Sequence, residues 1–111
     1  MSETITLTDA SFPKKANRSQ YAEFISNDLQ AGKRASVYAY VKSTAIGCVT
    51  DGKIEIDNLS SGKIRIVFYT DSGVMEFFAE DVTDITYCKN GGIKEWEIKT
   101  KYGISFEIVP K

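Results

Sequence analysis

The chain has 111 residues, 14 Lys and Arg against 15 Asp and Glu, and a formal net charge of −1. That length holds one domain with a single modest core, and 42% hydrophobic with 26% charged residues is ordinary globular composition, which excludes wholesale disorder. The missing basic excess argues against a duplex nucleic-acid binder, and no stretch approaches the roughly 20 apolar residues that a membrane-spanning helix needs.

In chain order, Thr4–Thr8 alternates as a short strand with Ile5 and Leu7 on one face, and Pro13 then interrupts regular structure. A helix is predicted over about residues 18–31. Asn17 caps it, Tyr21, Phe24, Ile25 and Leu29 form one apolar stripe, and Gly32 stops it. From there the period switches from helical to two. Val37, Ala39 and Val41 alternate with Tyr38, Tyr40 and Lys42, and Ala45–Thr50 continues or restarts that strand. Asp51-Gly52 reads as a hairpin turn into Lys53–Asp57, because the favoured two-residue turn requires positive φ. Further strands are expected at Lys63–Tyr69, Val74–Ala79, Asp81–Cys88, Ile93–Lys99 and Ile104–Val109, separated by Gly-containing turns except at Glu80.

The expected architecture is therefore α+β and a single domain over residues 1–111. One N-terminal helix packs on a strongly bent antiparallel sheet, or small barrel, of six to seven strands, a meander over about residues 36–109. Such an order resembles the Sm-like RNA-binding barrels and other SH3-like small barrels, and the run Gly73-Val74-Met75-Glu76-Phe77-Phe78-Ala79-Glu80-Asp81-Val82-Thr83-Asp84-Ile85 has a similar rhythm. The late basic and glycine loop of the Sm motifs is not found in this sequence, so the resemblance implies topology and no activity.

Chemistry is constrained chiefly by what the composition lacks. With no histidine, Ser-His-Asp and Cys-His catalysis and His-based zinc sites are excluded. Glu55 with Asp57, and Glu76 with Glu80, pair carboxylates on strand faces, but such alternation is the usual pattern of a solvated face, and the reading is non-enzymatic. Asp51, Glu55 and Asp57 lack the spacing of a calcium loop, and the glycines sit at turns rather than in a phosphate-cradling motif. No cofactor is expected. Cys48 and Cys88 are read as buried, reduced thiols, and a start without the charge and apolar run of a signal peptide predicts a cytoplasmic protein, of the producing cell or of an infected host.

The remaining signal is aromatic. Tyr38, Tyr40, Lys42, Arg65, Tyr69 and Phe78 all fall on the polar faces of their strands, a composition that suits recognition. The leading expectation is a small binding protein that acts stoichiometrically on a protein partner, of the inhibitor, immunity or phage counter-defence type, or that self-associates as a homo-oligomer, through an exposed sheet face. The alternative is a nucleotide or single-stranded nucleic-acid binder, stacking bases on the tyrosines with Lys42, Lys63 and Arg65 on phosphates.

Overall fold

The computed structural model describes Phe24 and residues 28–111. Seven strands make up one antiparallel sheet: β1 (Arg34–Val41), β2 (Thr44–Asn58), β3 (Ile64–Thr70), β4 (Gly73–Phe78), β5 (Val82–Asn90), β6 (Ile93–Thr100) and β7 (Ile104–Pro110). Their order in the sheet is β4-β3-β2-β1-β7-β6-β5. Consecutive strands pair throughout except for β4 and β5, which are joined by the 3-10 turn Ala79–Asp81, and β1 pairs on its other side with β7. The two edge strands are thus consecutive in the chain. The sheet curls until β4 faces β7 through the core, where the Phe77 and Phe106 rings stack at 5.2 Å.

The α+β expectation is corrected to all-β. Among the described residues no helix reaches seven residues. Residues 18–23 and 25–27 of the predicted helix, and the Thr4–Thr8 strand, lie outside the described residues. At the helix's expected end, the Leu29 N–H donates to the Phe24 carbonyl at 2.7 Å, an i+5 to i bond one residue wider than the α-helical i+4 to i bond. Gln30 to Lys33 then form a tight turn, with Gly32 at φ 91° as its glycine requires. Phe24 and Leu29 are both buried in the sheet's core, and Phe24 tilts against Trp96 at a ring distance of 4.8 Å. Their apolarity, read as a helix stripe, is used to fill the curled sheet.

Trp96 is the largest buried side chain and is completely covered. Its indole N–H donates to Asp28 Oδ2 at 2.7 Å, and Lys94 reaches the same carboxylate at 3.5 Å. Asp28 therefore removes the cost of burying an unpaired indole donor. Around Trp96, one cluster from Val37, Ile54, Ile66, Phe68, Ile85, Ile98 and Ile108 uses one face of every central strand, as period-two alternation dictates.

Two turns differ from expectation. The chain reverses at Lys42-Ser43, with Lys42 at φ 57°, a left-handed conformation that lysine does not favour. Asp51-Gly52, conversely, is no hairpin: β2 continues through it as a single 15-residue strand. There Thr50 and Asp51 oppose Ser36 alone, a β-bulge with Asp51 at φ 54°. The positive φ anticipated from Asp-Gly is present, but it bends a strand. Ser36 Oγ accepts the Asp51 N–H at 3.0 Å, and Arg34 donates to the Asp51 carbonyl at 3.1 Å, so the freed backbone groups are satisfied. The bend lets the first part of β2 pair with β1 and the last part pair with β3.

Candidate functional site

The six residues singled out from the sequence separate into two groups. Arg65, Tyr69 and Phe78 lie on the outer face of β3 and β4, and each is already engaged. Arg65 binds Asp57 at 2.8 Å and Glu76 at 3.4 Å. The Tyr69 hydroxyl donates to Glu55 at 3.1 Å, and Lys63 sits over the Phe78 ring at 5.6 Å. These are cross-strand pairs of the kind that stabilise a sheet. The carboxylates Glu55, Asp57 and Glu76 are engaged by the same contacts.

Tyr38, Tyr40 and Lys42 belong to β1 and its turn, on a different stretch of the outer face. The registers of β1, β7 and β6 build their surroundings. Tyr38 lies directly opposite Glu107, and Glu107 lies opposite Glu97. Tyr40 lies opposite Ser105, which faces Lys99. On β6, Glu95 and Glu97 point outward because Trp96 and Ile98 between them fill the core. Two tyrosines therefore border three carboxylates. A bulged, bent β2 separates this group from Arg65 and Tyr69, so the structure does not gather all six residues on one surface.

The electrostatics of this face are unusual for a sheet. Glu97 and Glu107 are like charges directly opposite one another, an arrangement that opposes pairing. Glu97 is relieved by Lys99 at 3.6 Å, whereas Glu107 and Glu95 make no ion pair among the described residues. Partial burial and the charges of Glu95 and Glu97 hold the Glu107 carboxyl above its usual range. Glu107 in turn raises the Tyr40 phenol above its ordinary value, helped by burial, Tyr38 and Glu95.

The surface is also concave. Tyr40, Lys42, Glu97, Lys99 and Glu107 line an open groove of about 540 Å³. Tyr38, Asp28, Ile93, Lys94 and Val109 line another of about 500 Å³. The two tyrosines are successive outward residues of β1, so one strand contributes to both grooves. Both thiols, read from sequence as buried, are in fact exposed. Cys48 lies opposite Tyr38 and Cys88 opposite Glu95, so they flank the same face. They escape burial because each sits at an outward position of its strand, where alternation outweighs the thiol's apolar preference.

Glu95, Glu97 and Glu107 were not among the residues expected at a site. Their signal was present as acidic residues alternating with Trp96, Ile98, Phe106 and Ile108 on two strands joined by the Lys101–Gly103 turn. The direct juxtaposition with Tyr38 depends on β7 pairing with β1, which brings together residues almost seventy positions apart and carries no local signature. Among the described residues no group of three His, Cys, Asp or Glu side chains is placed to hold a metal ion, and no helix is long and apolar enough to cross a membrane. No family model matches the chain, and no curated protein and no solved structure matches it either.

Proposed function

We propose that this protein is a stoichiometric protein-binding module whose contact surface is the outer face of β1, β7 and β6, centred on Tyr38 and Tyr40. The observation that carries the reading is the setting of those two rings. They stand side by side on a central strand, adjoin two grooves, and border Glu95 and Glu107, which make no ion pair among the described residues, while Glu97 is met by Lys99. Tyrosine supplies large, rigid, amphipathic contact area at little entropic cost, which is why it concentrates at the centres of interfaces. A sheet selected for stability alone gains nothing from placing Glu97 opposite Glu107. Such local frustration is what a surface tuned for a partner exhibits.

The nucleic-acid reading draws less support from the same geometry. Two of its three phosphate-binding cations are otherwise engaged, Arg65 by Asp57 and Glu76 and Lys63 by Phe78. The carboxylates beside Tyr38 and Tyr40 repel phosphate.

The experiment is affinity capture from the native cell extract with the wild-type chain and with the Tyr38→Ala/Tyr40→Ala variant. Both side chains point outward, so the variant is expected to fold, as circular dichroism checks. A partner captured in near-equimolar amount by the wild type and lost from the folded variant supports the reading. A partner retained equally by both overturns it.

A further inference from the structure

We infer that the partner presents an arginine-bearing, basic segment, whose guanidinium group lies against Tyr38 and Tyr40 and pairs with Glu107 and Glu95. This rests on the proposed docking face and names the chemistry that fits it. The argument begins with the charge left over on the face. Lys99 answers Glu97 and Lys94 answers Asp28, while Lys42 stands on the turn after β1 and Lys111 lines the second groove beside Tyr38. Every charged group that acts appreciably on Glu107 is another carboxylate, Glu95 or Glu97. Glu95 and Glu107, which have no ion pair among the described residues, are the carboxylates left to meet an incoming cation beside the tyrosines.

Geometry then narrows the cation. Tyrosine faces attract a cation through the ring quadrupole, and a planar guanidinium can stack on a ring while its edge forks to a carboxylate. An ammonium makes a point contact only. Glu107 and its neighbours offer both elements within one cross-strand spacing, with Tyr38 directly opposite Glu107. Partial burial of Glu107 lowers the local dielectric, which strengthens an incoming charge-assisted bond and relieves the carboxylate. A phosphate, a sulfate or an acidic peptide would meet the opposite sign.

The test is a titration of isotope-labelled protein with a hexa-arginine peptide at low salt, followed by amide chemical shifts, with hexa-lysine and hexa-glutamate as comparison probes. Hexa-arginine is expected to shift the resonances of Tyr38, Tyr40, Ser105 and Glu107, and hexa-lysine to do so more weakly. The Glu95→Gln/Glu107→Gln variant should lose about tenfold in hexa-arginine affinity, the scale of two removed charge contacts. An Asp71→Asn/Glu80→Gln variant, with equal charge removed from exposed positions elsewhere, should keep it. The inference is overturned by no shift at millimolar peptide, by shifts centred on another face, by equal losses in both charge variants, or by tighter binding of hexa-glutamate. If the captured partner still requires Tyr38 and Tyr40 while hexa-arginine fails, the docking face stands and only the basic partner falls. If capture ignores the tyrosines, the docking face itself falls, whatever the peptide does.

Discussion

Glu107 has Tyr38 opposite it on one neighbouring strand and Glu97 on the other. Its raised pKa means that the folded chain holds this proton more tightly than the unfolded chain does. Ionising Glu107 therefore opposes folding. The penalty is present above its folded pKa and is relieved as the pH falls through that value. This is the reverse of a salt-bridged carboxylate, whose contribution is lost on acidification. We expect Glu107→Gln to raise Tm modestly at pH 7 and the gain to shrink near pH 4, where ordinary carboxylates take up their protons. Thermal melts of both proteins at the two pH values check this. A glutamine that destabilises at pH 7 would mean that Glu107 has a structural partner. A residue that weakens its own fold while bordering two tyrosines fits selection for binding better than selection for stability.

At the scale of elements, β2 decides the geometry. Its bulge at Thr50–Asp51 brings the backbone so close that a Cβ on Gly52 would lie 2.6 Å from Val49 Cγ1 and 3.3 Å from the Tyr69 backbone nitrogen. Val49 is β-branched and buried, and the Tyr69 backbone is held in the β2–β3 ladder, so neither yields easily. Gly52→Ala is expected to destabilise by about 1–3 kcal/mol, as overpacking of a tight site does, read as a lower urea midpoint. The same element marks the limit of what the sequence discloses. The alternating segments were legible because period two is a local property, although Ala45–Thr50 and Lys53–Asp57 are two halves of one strand, and Tyr38 and Tyr40 do stand on an outward face. Asp51-Gly52 announced positive φ without saying whether a strand would reverse or merely bend, since only pairing with Ser36 decides that. The helical stripe was misleading for a related reason. Phe24 and Leu29 are apolar because they plug the curled sheet beside Trp96, and that packing partner is distant in sequence. Glu107 beside Tyr38 was illegible for want of any local rule that pairs the last strand with the first.

Among the described residues, a meander of seven strands curls around one core, with its two edges linked by a 3-10 turn rather than by a ladder. Closure therefore relies on side chains that meet through the core. Phe77 stacks on both Phe68 and Phe106 and joins β4 to β7 across the interior. Phe77→Ala should cost about 3–5 kcal/mol, the range for a deleted core phenylalanine, measured by urea unfolding. The curl also sets the recognition surface, because it turns the β1, β7 and β6 face outward as a continuous patch between two exposed cysteines. Those native thiols allow the most direct test of the docking face. In the complex with the captured partner, alkylation of Cys48, read from the mass of its peptide, should be strongly slowed relative to the free protein, because Cys48 adjoins Tyr38 across the β1–β2 pair. Cys48 reacting as fast in the complex as in the free protein would contradict the assignment of this face.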